Sequence, residues 1–206
     1  MSSLREELGG PQATTPTPFT LLCPPGWQRV PAAALAGDDT AASALSQLKA
    51  AGRPDLIMQF RGMLARYRTA IRESGAFQAY LAPRADGVPL PAVMLVSPFV
   101  LPDTTTWETA LVRLSRGGEV VDADFTETPM WVWRAAERMG DETAAMVGRS
   151  THYLVPTAEE GTRRALRFHF TTLVADDPQA HALVEPLMQI GDLIMSTMRW
   201  VEPAAR

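Results

Sequence analysis

The chain is poor in the residues and motifs that most often announce chemistry. Cys23 is the one cysteine among 206 residues, so no disulfide can close within the chain and no cysteine-rich metal cluster can form, a composition that fits a reducing compartment. Positive charge is not in excess. Against 23 acidic residues stand 19 basic ones, a formal net charge of -4, which gives phosphate backbones no broad positive face and argues against nucleic acid as a partner. No run approaches the roughly 20 apolar residues needed to span a bilayer, and residues 1–10 contain Arg5, Glu6 and Glu7 where a secretory signal would have an apolar core. A cytoplasmic location without a transmembrane segment is the resulting expectation. Also missing are a Gly-rich phosphate loop with its lysine, a dinucleotide glycine fingerprint, a paired-histidine zinc helix and a nucleophile-elbow serine. No cofactor and no catalytic residue are expected from these absences.

What is present is ordinary for a globular chain of this length, which can bury a substantial core as one domain. Gly9, Gly10, Pro11, Pro16 and Pro18, interleaved with Thr14, Thr15 and Thr17, have little to bury, so residues 1–18 read as a flexible lead-in. Residues 19–201 read as a single α+β domain and 202–206 as a loose tail. Within the domain, residues 19–23 form a short apolar strand stopped by Pro24, Pro25 and Gly26 and followed by Trp27.

A short helix is expected over 40–50, ended by Gly52. Pro54 suits a first helical position, and Leu56, Phe60, Met63, Leu64, Tyr67 and Ile71 recur at three- and four-residue steps, so 54–73 reads as a long amphipathic helix stopped by Gly75. Residues 76–81 read as a strand, and 92–100 as a buried strand bent at its end by Pro98. Thr105 and Glu108 have the spacing of a capping box for a helix over 106–115, terminated by Gly117 and Gly118. The period then changes to two. Strands over 119–125, 130–137, 149–155 and 164–174, separated by turn residues, suggest an antiparallel meander, with a hairpin around Glu160 and Gly161. Asp177 and Pro178 open a last helix whose apolar face includes Leu183, Val184, Leu187, Ile190, Ile194 and Met198. Gly191 on that face would allow close approach to the sheet, and Pro186 predicts a kink or restart.

Helices before, between and after antiparallel strands point to an α/β/α sandwich, a largely antiparallel sheet covered by helices. The segment from Phe19 to Trp27, the positions Leu166, Phe168 and Phe170, the helix closing on Trp200, and the order of the elements together resemble the PsbP-like family. Its members include an extrinsic photosystem subunit, a nuclear-import factor that binds the Ran GTPase, and bacterial lipoproteins. The resemblance implies a non-enzymatic binding or scaffold domain, with no catalytic residues to carry over, and a fold does not by itself fix a function.

Several constellations are candidates for binding. If the hairpin is symmetric about Glu160 and Gly161, His152 and His169 lie opposite each other on one face and could share a metal, with Asp122, Asp124 or Glu137 as a third ligand; equally, they are two polar residues on a half-covered strand. Asp122 and Asp124 share a strand face and could bind a cation or act as an acid/base pair, or simply form a solvated face. Trp131 and Trp133 project from one face, as an aromatic platform for a partner or as core beneath a helix, and the partly apolar opposite face of Met130, Val132 and Arg134 favours the core. Arg61, Arg68 and Arg72 line one side of the long helix, where they could receive an acidic partner or lie over the core's edge with their heads in water. Cys23 reads as a small buried hydrophobe rather than a nucleophile.

The expected function is a non-catalytic protein-interaction, scaffold or accessory domain with another protein as partner, or with a second copy of itself. The alternative is a small-molecule or metal-dependent binding protein or enzyme built on His152, His169 and a nearby carboxylate.

Overall fold

The computed structural model describes residues 18–35, the isolated positions 46, 49 and 52, and residues 54–85, 88–139, 146–159, 161–175 and 178–201. The lead-in before Pro18, most of the helix expected over 40–50 and the tail from residue 202 lie outside the described residues. Eleven strands and five helices are described: β1 (Phe19–Thr20), β2 (Gln28–Pro31), α1 (Ala32–Leu35), α2 (Pro54–Glu73), β3 (Gln78–Leu81), β4 (Arg84–Ala85), β5 (Val88–Pro89), β6 (Ala92–Val100), α3 (Trp107–Leu114), β7 (Val120–Asp122), β8 (Trp131–Met139), β9 (Met146–Pro156), β10 (Arg164–Ala175), α4 (Pro178–His181), α5 (Val184–Ser196) and β11 (Arg199–Trp200).

Seven strands form one antiparallel sheet in the order β2-β3-β6-β10-β9-β8-β7. Two-stranded pairs join β1 to β11 and β4 to β5. The protein is therefore α+β, with α5 on one face of the large sheet and α1, α2 and α3 on the other. Coverage on both faces explains β6, whose run from Ala92 to Val96 is apolar at every position. Ala92, Met94 and Val96 are buried on the α5 side, while Val93 and Leu95 pack toward α1 and α2. Pro98 falls beyond Val96, where β3 ends, so it sits where β6 is paired on one side only.

The α5 side holds the larger core. Tyr80, Met94, Val96, Val132, Tyr153, Val155, Leu166, Phe168 and Phe170 from the sheet meet Leu187, Met188, Ile194, Met195 and Met198. A Cβ built on Gly191 would lie 2.9 Å from the Phe170 ring, so the missing side chain is what lets the helix rest on that ring. Pro186 falls in the first turn of α5, where its absent N–H has no carbonyl to serve; the helix restarts after α4, as the proline foretells. The Tyr153 hydroxyl donates to Asp192 Oδ1 at 2.6 Å, and Arg134 donates to Asp192 Oδ2 at 2.7 Å. Helix, β8 and β9 are thus tied by one carboxylate.

The ends of the domain meet. Phe19 pairs with Trp200 across β1 and β11, and the Phe19 ring stands edge-on to Phe168 at 5.3 Å. Trp200 Nε1 donates to the Pro156 carbonyl at 3.1 Å and Thr128 Oγ1 to the Met198 carbonyl at 2.8 Å.

Two sequence expectations shift on inspection. The cap of α3 is Thr106, extended at φ -88° and ψ 160°, with its hydroxyl accepting from the Thr109 amide. Thr105 lies one residue outside and donates its amide to the Pro102 carbonyl, because the chain is still turning there. At the start of β8 both faces are inward: Trp133 is buried beneath α3, and Val132, with Met130 just before the strand, is buried beneath α5.

Candidate functional site

On the face opposite α5, the two helical caps leave a polar seam. Apolar residues of α1 and α2, Ala32, Leu35 and Ile71, cover one end of the sheet. Leu111, Leu114 and Trp107 of α3 cover the other, over Trp131, Trp133 and Leu154. Between these caps runs a row of directly opposed residues, Leu95, His169, His152, Trp133 and Val120, contributed by β6, β10, β9, β8 and β7.

The pairing of His152 with His169 follows from the antiparallel register of β9 and β10, with Gly161 at φ 69° in the turn between them. The two imidazoles stack, centroids 4.3 Å apart and planes 15° apart. Trp133 stacks on the other side of His152 at 5.0 Å and 15°. Two positions before His169 on the same face, Arg167 places its guanidinium 5.9 Å from the Trp133 ring centre and donates to His152 Nδ1 at 3.1 Å.

That hydrogen bond fixes the chemistry of His152. A guanidinium has only donors, so Nδ1 must accept and the ring proton must sit on Nε2. Nε2 then faces the Ser150 hydroxyl at 3.4 Å as a donor. Burial, followed by the His169 ring and the charges of Arg167 and Arg116, pushes His152 far below the ordinary imidazole range. His169 is lowered to about 4 by burial and then by Arg167. Both rings are neutral at neutral pH. Arg167 itself is lowered by burial and by Arg116, yet an arginine stays protonated.

The seam is short of partners. Arg167 Nε is buried with no hydrogen-bond partner among the described residues. Ser97, opposite Arg167 on β6, is also buried. Arg116 follows the C-terminal end of α3 at φ 54°, a left-handed backbone that a non-glycine residue adopts at a cost of about 1 kcal/mol. Gly117 follows at φ 79°.

The remaining sequence candidates fall elsewhere. Trp131 is half-buried and packs on Trp107 at 5.2 Å, which in turn lies 5.9 Å from Phe99. Asp122 is exposed at the end of β7, opposite Trp131, and Asp124 is exposed just beyond. Glu137 lies opposite Gly148 at the far end of β8, and its side chain lies outside the described residues. Among the described residues no group of three or more His, Cys, Asp and Glu side chains converges as a metal site, and a guanidinium already occupies His152 Nδ1, so a cation there would meet like charge. Arg61 is exposed on α2, and Arg72 donates within its own helix, Nε to the Arg68 carbonyl at 3.3 Å and Nη2 to Thr69 Oγ1 at 3.4 Å. The structure brings neither near the seam rows. Cys23 is half-buried against the α5-side core, and burial pushes its thiol up, away from the reactive thiolate. Arg167 and Arg116 were not singled out by sequence. The spacing of Arg167 two residues before His169 was the available signal for the first.

A shallow groove runs between α3 and the edge strand β7, lined by Trp107, Leu111, Val112, Val120 and Trp131, with Glu108 and Asp122 on its rim. Val112 and Val121 beside it are 58% and 47% exposed. Among the described residues β7 ends the sheet and has β8 as its one neighbour.

No family model matches the chain, and no curated protein matches it. A crystal structure of a Bacteroides thetaiotaomicron protein aligns with 91% of this chain and 47% of its own length, at 8% sequence identity and a TM-score of 0.43. The chain spans about half the length of that protein, and a likeness at this level supports no functional argument. Among the described residues no helix is long and apolar enough to cross a membrane.

Proposed function

We propose that this chain is a non-catalytic protein-interaction domain, a scaffold or accessory factor, that receives an extended segment of a partner protein along β7 and the groove beside α3. The observation that carries the non-catalytic part is the hydrogen bond from Arg167 to His152 Nδ1. In a nucleophilic triad a carboxylate accepts a hydrogen bond from the N–H at that nitrogen and stabilises the imidazolium, leaving Nε2 free to accept from the serine. Here the third group is a cation, Nε2 carries the proton, and Ser150 has no base.

The interaction part rests on the opposite end of the same face. An edge strand offers unpaired backbone groups to an added strand, and beside it Trp107, Leu111 and Trp131 offer an apolar lining. Glu108 and Asp122 are the charged lining residues of the groove, so charge complementarity selects a segment with a large apolar side chain next to a Lys or Arg. The resemblance to PsbP-like proteins supports a binding role in the same direction.

The test is affinity capture of the tagged chain at low salt, with mild crosslinking, compared between the native protein and Val112→Asp. A stoichiometric protein captured by the first and lost by the second is the supporting result. Recovery of the chain alone from both would sink the reading, and light scattering on the same samples would show whether the co-eluting protein is a second copy of the chain.

A further inference from the structure

The polar seam on the α1 and α3 side of the sheet is left unexplained by a protein-binding groove. Three features converge there. Arg167 is half-buried beside the stacked pair of Trp133 and His152, and its Nε is buried with no partner among the described residues. No described residue hydrogen-bonds the ring of His169, two positions along the same strand face, and Ser97 is buried directly across from Arg167. Arg116, exposed at the end of α3, adds a second positive charge near enough to lower both His152 and Arg167, and Leu111 and Leu114 of that helix pack over the Trp133 and Leu154 rows. No carboxylate among the described residues forms an ion pair with either arginine.

Arg116 is the independent observation. Its backbone is left-handed, in a turn where the next residue is already glycine and where glycine would be the unstrained choice. Strain held at a non-glycine residue marks a place where the side chain matters more than the backbone's comfort. A half-buried guanidinium with no counter-charge beside it among the described residues favours an anion, and the planar N–H pair it presents matches an oxyanion.

We propose that Arg167, Arg116 and His169, with Ser97 beside them, form a binding site for a small oxyanion, a carboxylate or a phosphate group. Arg167 and Arg116 neutralise its charge, and the neutral imidazole of His169 and the Ser97 hydroxyl donate the remaining hydrogen bonds. The site is separate from the groove beside β7 and stands or falls without it.

The experiment is thermal unfolding of the full chain, titrated in parallel with sodium phosphate, sodium acetate and sodium chloride at matched ionic strength. A saturable rise in Tm with phosphate or acetate over chloride is the expected result, and which of the two acts at lower concentration tells phosphate from carboxylate. Arg116→Gly separates binding from folding. Without anion it should melt at the same temperature as the native protein or higher, because the turn is relieved, while its anion affinity falls about tenfold, the loss of one charge-assisted hydrogen bond. Arg167→Lys, which keeps the charge and loses the fork, should weaken binding by a similar factor. Responses to phosphate and acetate no greater than to chloride would overturn the proposal, as would an Arg116→Gly protein that binds as tightly as the native one.

Discussion

The two faces of the seven-stranded sheet are covered by different means. On the α5 side, one helix lies across the central strands, an aromatic ring fills the space under Gly191, and the Asp192 carboxylate between Tyr153 and Arg134 has its partners. On the other side two separate helical caps leave Arg167, His152 and His169 between them, with a buried donor unsatisfied and both imidazoles neutral. The α5 side also leaves one neutral hydroxyl, Thr151 Oγ1, buried without a partner among the described residues, whereas the other side leaves a nitrogen of a charged guanidinium so. An unmatched charged group costs more than an unmatched hydroxyl, and it is on that face that binding is to be sought.

The comparison breaks first at Phe170. Phe170→Ala removes a fully buried ring from beneath α5 and should cost about 3–5 kcal/mol, read by chemical denaturation. Gly191→Ala attacks the same contact from the helix side. Its methyl would sit 2.9 Å from the ring, and overpacking of that kind costs about 1–3 kcal/mol.

On the opposite face the probe is acid. His169 has an ordinary value of 6.5 and is lowered to about 4 in the folded chain, so below 6.5 the unfolded chain takes up a proton that the folded one refuses. Stability therefore falls as pH drops through the window from 6.5 to about 4, by about 1 kcal/mol at about pH 5.5 from His169 alone. His169→Asn should reduce that slope by about half in denaturation curves measured across the window, the lowered His152 supplying the rest. The smallest effect belongs to a local feature of α3: Thr106→Ala loses the cap to the Thr109 amide and should cost about 1 kcal/mol, whereas Thr105→Ala should leave stability within about 0.5 kcal/mol.

Much of this was legible before any coordinates. The bounds of α2 follow from Pro54 and a clean three-and-four repeat, and the pairing of His152 with His169 follows from one glycine turn, since an antiparallel register is fixed once its centre is known. Gly191 was readable because a glycine on an apolar helical face needs a reason. Other features depended on the third dimension. Thr105 and Thr106 are equally good caps by type, and only the backbone angle at Thr106 selects it. The double burial of β8 depends on helices far away in sequence, which no alternation within residues 130–137 can report. Arg167 was missed because a long side chain can leave its strand face or lie along it, and the stack that holds it over Trp133 is assembled from three strands. Arg116 was missed because the left-handed turn was expected to use its glycines.

The most direct measurement compares partner capture by three proteins: the native chain, Val112→Asp beside β7, and Leu193→Asp on α5, a residue 60% exposed on the other side of the sheet. The expected result is a stoichiometric partner held by the native chain and by Leu193→Asp and lost by Val112→Asp. Loss on substitution of Leu193 with retention on substitution of Val112 would place binding on the α5 side and contradict the division of the two faces.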